Sequence, residues 1–294
     1  ESSGMTGVCV SLKPQNIEDI TALIALYRPG PMDSIPKFIA CKHDPSKVTY
    51  LIPQLEPILS ITYGCIVYQE QVIQIFQQLA GYSLGQADMV RRAMSKKKLN
   101  VMEKERQAFV YGNEAEGVPG CIKNGIDEKI ANKIYDEMID FAQYAFNKSH
   151  AAAYAYVTYQ TAFLKYYYPV EYMAALMTSV IDKPTKVAEY IQVCRQMNIP
   201  ILPPDINKGE YGFSVSGGSI LYALSAIKSV GRPVIEAIVA ERKEHGEYLS
   251  VKNFIERNME AVNKRAIENF IKAGALDCLE GNRHQKMVVF GQIV

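Results

Sequence analysis

Long apolar runs are missing from this sequence: every hydrophobic stretch is broken by polar residues well short of the ~20 needed to span a bilayer, and no secretory leader opens the chain. A soluble protein is expected. Disulfide and zinc chemistry lack their usual marks, because Cys9, Cys41, Cys65, Cys121, Cys194 and Cys278 lie far apart, with no C-x-x-C pair and no nearby histidine set. That scatter suits a reducing cytoplasm. There is no Gly-rich phosphate loop of the Walker type and no acidic pair for Mg2+, which disfavours a self-contained nucleotide hydrolase. Charge of one sign is not in excess either. The net charge is +1, so a nucleic-acid surface would have to come from local clusters of cations and not from a global field.

What is present is a chain of 294 residues, 48% of them hydrophobic, enough for a sizeable core and for two domains. It opens on Glu1 without an initiator methionine and stops abruptly at Gln292-Ile293-Val294, so a piece of a longer polypeptide is expected, with catalytic groups lying elsewhere. The fold class expected is mainly α. Apolar spacing predicts helices over 17–27, 35–41, 66–80, 99–111, 151–168, 170–181 and 185–197. Gly81 closes the third of these, Ser83 and Gln86 form a capping box for a helix over 84–94, and Asp127 caps one that runs to Gln143. Phe213 to Tyr222 alternates around Ser216-Gly217-Gly218 and is expected to be a short β-hairpin between a helical domain (1–207) and a smaller one (208–294).

Four places invite a functional reading. Asn147-Lys148-Ser149-His150 stands directly before the longest helical run, with Ser149 at or near the N-cap; free amides, a partial positive charge and a lysine make a place to hold phosphate, against the plainer reading of a capped core helix. Arg91 and Arg92, followed by Lys96, Lys97 and Lys98, crowd five cations at a helix end, where they either meet phosphate or complement the dipole and pair with Asp88. Arg28 sits on a Pro-Gly-Pro corner and either pairs with a phosphate, caps carbonyls or meets Asp33. Residues 223–229, Val230-Gly231 and 233–245 read as two short helices on a tight turn, a helix-hairpin-helix whose amides, with Lys228 and Arg232, suit a sequence-independent grip on a DNA backbone. Residues 262–277 repeat it more loosely around Gly274, with Lys264 and Arg265 available. Glu70, the one charge on a glutamine-rich helix, either orders a basic neighbour or is solvated. The tyrosines of the long helix (Tyr154, Tyr156, Tyr159, Tyr166, Tyr167, Tyr168) are expected to be half-buried packing rather than a base-stacking platform. Pro203-Pro204-Asp205-Ile206-Asn207 reads as a polar turn, not a metal carboxylate.

In this order the stretches Leu26-Tyr27-Arg28-Pro29-Gly30-Pro31-Met32, Val67-Tyr68-Gln69-Glu70-Gln71, Arg91-Arg92-Ala93-Met94, Phe146 to Tyr154, Leu202 to Asn207, Ala226 to Gly231 and Ile271 to Ala275 resemble the bacterial replicative DNA polymerases of the C family, the DNA polymerase III alpha subunits of the branch without an embedded exonuclease. The resemblance covers nearly the whole chain. It implies that residues 1–207 are the end of the palm and the fingers, which position the incoming dNTP, and that the rest is a tandem helix-hairpin-helix region on the primer-template duplex. Carried over, Arg91, Arg92, Asn147, Lys148, Ser149 and His150 become the nucleotide-binding candidates; Arg28, Lys228, Gly231, Arg232, Lys264 and Arg265, read from the turns above, are the DNA-binding ones. No catalytic or metal-binding residue is expected within the chain, since the family's paired palm aspartates, which hold Mg2+, lie upstream. Other partners implied are the palm and N-terminal domains of the same polypeptide and, through regions absent here, a sliding clamp and other replisome subunits in the bacterial cytoplasm. Ser95, Gln143 and Ala145 depart from glycines usual in the family. A non-catalytic module that only grips a DNA backbone, or a scaffold, is the alternative.

Overall fold

The computed structural model describes residues 3–95, 99–142 and 144–293, so Lys96, Lys97, Lys98 and Gln143 lie outside the described residues. Among those described, the chain is mainly helical, and it divides into two compact units, residues 1–160 and 161–294. None of the described helices is long and apolar enough to cross a membrane.

The first unit carries α1 (Ser3–Leu12), α2 (Ile17–Leu26), α3 (Ile35–His43), α4 (Glu56–Leu59), α5 (Gln69–Ala80), α6 (Leu84–Ser95), α7 (Leu99–Tyr111), α8 (Glu128–Ala142) and the start of α9 (Lys148–Tyr167). Its deepest packing surrounds α5, where Phe76 meets the rings of Tyr82 and Phe109 at 5.1 Å each. The expected caps form. Ser83 and Gln86 exchange bonds at 2.9 and 3.3 Å, and Asp127 Oδ1 accepts from Lys129 and Ile130. Gly81 takes the left-handed conformation (φ 76°) that closes α5. The helix expected over 66–80 starts three residues late, because the amides of Val67 and Tyr68 bond to the Gln71 side chain and residues 67–68 run extended instead.

The second unit holds the end of α9, α10 (Pro169–Ser179), α11 (Pro184–Gln196), α12 (Arg232–His245), α13 (Val251–Arg257), α14 (Lys264–Ala273) and α15 (Arg283–Ile293). The β-hairpin is present as β2 (Ser214–Ser216) and β3 (Ser219–Leu221), turning through Gly217 and Gly218, both at positive φ. β1 (Ile201–Leu202), which the sequence did not announce, joins β3 in parallel to give the order β1-β3-β2. Asp205 Oδ1 accepts from the amides of Asn207 and Lys208, the polar turn expected there.

Residues 223–229 are a correction: they form a single 3-10 turn, Leu224–Ala226, and not a helix. Ile227 is already extended (ψ 126°), so the segment winds no further. The second hairpin is closer to expectation. Asn263 Oδ1 accepts from Ala266 at 2.9 Å to cap α14, and Gly274 ends it at φ 85°. Asn263→Ala should cost about 1 kcal/mol of stability, seen as a lower urea midpoint for the unfolding of this unit; no shift would mean the cap is replaced by water.

Candidate functional site

Two helices begin at one place. Tyr68 and Phe146 pair as a parallel bridge, with Phe146 N–H donating to the Val67 carbonyl at 3.2 Å and Gln69 N–H to the Phe146 carbonyl at 2.9 Å. Since α5 opens one residue after Tyr68 and α9 two after Phe146, their positive N-terminal ends stand together. Gln71 fixes the arrangement from beneath: its Oε1 accepts from Val67 and Tyr68, and its Nε2 donates to the Ile58 carbonyl and to Thr62 Oγ1.

At the mouth of α9 the N-cap is Asn147, not Ser149. Its Oδ1 accepts from His150 N–H at 2.9 Å. Lys148 N–H donates to both Glu70 oxygens, at 3.2 and 3.1 Å, and Asn147 Nδ2 donates to Glu70 Oε1 at 3.1 Å. Glu70 is therefore neither simply solvated nor paired with a basic side chain: its carboxylate lies between the two helix starts and neutralises their charge. Lys148 Nζ lies 3.1 Å from Glu18 Oε2 and 5.5 Å from the centre of the Tyr68 ring. That ion pair is Coulombic in character, since Glu18 Oε2 is buried without a properly aligned donor. The Tyr68 hydroxyl, 1% exposed as a residue, also has no partner, and burial pushes its pKa well up, with the charges of Glu18 and Glu70 adding to the effect. Among the described residues, neither the amide nor the hydroxyl of exposed Ser149 is hydrogen-bonded. The exposed His150 ring packs between Phe146 and Tyr154.

The remaining cations are more occupied than the sequence suggested. Arg91 donates twice to Asp88 Oδ1 and Arg92 once to Oδ2, at 2.7–3.0 Å, and these bonds, Arg91's first, hold the Asp88 carboxyl below its ordinary range. Arg28 takes the carbonyl-capping alternative. It donates to Ala25 O and Tyr144 O and stacks 4.1 Å over Phe146, so Asp33 is not its partner, and burial lowers its pKa. It thus buttresses the residues leading into α9. In the second unit Gly231 precedes α12, and Arg232 pairs with Glu236 at 2.7 Å while lying over Tyr211. Lys228, Lys264 and Arg265 are exposed, and Asn269 Nδ2 donates to the Lys228 carbonyl, which ties the first hairpin turn to α14.

The five tyrosines of α9 and Tyr168 just past its end are exposed (53–78%), not half-buried, because among the described residues of this helix only Ala151 and Ala155 reach a core. Glu18, Tyr68 and Gln71 belong to the site yet were not singled out by sequence. The one available signal was Glu70, a lone charge in an otherwise uncharged helix. The donors gathered here are held by the chain's own carboxylates, Glu70 and Glu18.

Residues 1–117 match the family described as bacterial DNA polymerase III alpha subunit finger domain, and residues 198–286 match the helix-hairpin-helix motif. The chain is 50% identical over 283 residues to the DNA polymerase III subunit alpha of Thermus aquaticus, covering 94% of this chain and 22% of that protein. It is 48% identical to the Chlamydia pneumoniae subunit (96% and 22%) and 47% to that of Xylella fastidiosa strain 9a5c (100% and 24%). The chain belongs to the bacterial DNA polymerase III alpha subunit family, as a segment containing finger and helix-hairpin-helix regions. It spans about a quarter or less of the length of these relatives.

Proposed function

We propose that this chain is the part of a bacterial replicative DNA polymerase that positions the incoming dNTP and the primer-template duplex. Residues 1–207 serve the nucleotide and residues 208–294 the duplex. The observation that carries this reading is the pair of helix N-termini meeting at Glu70, with Lys148 beside them, an electropositive mouth suited to a triphosphate. Lys148 and the Ser149 amide neutralise phosphate charge, Asn147 and His150 frame the mouth, and Arg91 and Arg92 exchange Asp88 for phosphate to steer the nucleotide in. Gly231, with Lys228, Arg232, Lys264 and Arg265, grips the duplex backbone, and Arg28 is a further DNA-binding candidate.

Among the described residues no three His, Cys, Asp or Glu side chains gather into a metal-holding group, and no step is routed through a metal here. In this reading Mg2+ is held by palm carboxylates outside the chain, in the bacterial cytoplasm, and the other replisome partners bind elsewhere on the polypeptide.

The test is the affinity of the full-length polymerase for primed DNA, with and without the next complementary dNTP. The reading expects the nucleotide to tighten the complex at fixed salt and Lys148→Ala to remove that increment. Binding that falls steeply with salt but never responds to nucleotide would leave only a DNA-gripping module.

A further inference from the structure

We propose that Glu70 is an internal stand-in for phosphate: its carboxylate holds the mouth of α9 while the site is empty, and the triphosphate displaces it on arrival. This rests on the nucleotide-positioning reading and adds to it a residue that sets affinity.

The donors point this way. Lys148 N–H and Asn147 Nδ2, the groups a phosphate oxygen would take, are both spent on Glu70. Lys148 Nζ is likewise engaged by a carboxylate, that of Glu18. The partnerless Tyr68 hydroxyl, buried beside these charges, is an independent sign that the polar set is incomplete. Glu70 is only partly buried, so its side chain can turn toward solvent without breaking the core. A single carboxylate carries one negative charge where a triphosphate brings several, so at a doubly positive helix mouth the multivalent anion wins. Until it arrives, the stand-in keeps two parallel helix ends from facing one another uncompensated, and keeps weakly charged anions out.

The distinguishing experiment uses inorganic tripolyphosphate, which has neither base nor sugar, as a competitor of dNTP in the full-length polymerase. Glu70→Gln keeps an acceptor oxygen for the two donors but removes the competing charge, so the inhibition constant should fall about three- to tenfold. An inhibition constant that stays the same or rises would show that Glu70 merely ties the helices together, and the proposal would be overturned. Lys148→Ala in the same series separates the two levels. If it raises the inhibition constant while Glu70→Gln does nothing, only the stand-in role fails; if it too changes nothing, the mouth of α9 binds no triphosphate and the reading beneath it fails as well.

Discussion

Replacing Lys148 by alanine in the full-length polymerase should lower kcat/KM for nucleotide incorporation about 100-fold, equivalent to about 2.7 kcal/mol of lost stabilisation. The ammonium lies at a helix start where the backbone already favours negative charge and where the Tyr68 ring excludes water from one side. Its removal also leaves the buried Glu18 Oε2 without its cation, which adds a desolvated charge to the loss of attraction. Lys148→Arg keeps the charge but spreads it over a rigid fork, so partial recovery is expected, not a full return. Single-turnover incorporation measures both, and kinetics unchanged by alanine would remove Lys148 from the nucleotide site.

The second large effect is on stability. Gln71 is 3% exposed and makes four hydrogen bonds that join the approach to α5, the start of the helix and the turn at Thr62. Gln71→Ala strands two backbone amides and a carbonyl in the interior, while Thr62 Oγ1 keeps its bonds to the Leu59 and Cys65 carbonyls, and at about 1 kcal/mol for each stranded group the cost is about 3 kcal/mol. The urea unfolding transition of the first unit should move down accordingly. A loss below about 1 kcal/mol would mean that water enters and takes over the bonds. Since Gln71 also sets where the Tyr68–Phe146 bridge can form, the variant should weaken nucleotide binding at concentrations of urea too low to unfold the unit.

How much of this was legible follows from where each signal resides. Helix ends decided by neighbours in sequence were readable: Ser83 with Gln86, Asp127 with the amides two and three residues on, Gly81 at positive φ. The same locality made the β-hairpin at Gly217-Gly218 visible. Features decided by residues far apart in the chain were not. Arg28 spends its guanidinium on a carbonyl 116 residues away, and Glu70 caps a helix that starts 78 residues later, so no window of sequence contains both partners. β1 pairs with β3 across the turn at Asp205, and its two residues are too few to show alternation. The 3-10 turn at 224–226 has the composition of a helix, yet the backbone turns extended at Ile227 directly after it. The tyrosines failed for another reason: tyrosine is at home both at a surface and in a core, and spacing alone cannot say which face of a helix finds a partner. The candidate site itself was half legible: its cations, Glu70 and Asp88 were named, while Glu18, whose partner Lys148 lies far along the chain, was not.

The exposed tyrosines of α9 give the molecule a built-in optical reporter. The chain has no tryptophan to drain their excited states by energy transfer, and five of its 19 tyrosines stand on this one solvent-facing helix, with Tyr168 exposed at its end. Intrinsic emission from the unlabelled protein is therefore weighted toward α9, and whatever shields or quenches that surface registers as a change in fluorescence before any dye is attached.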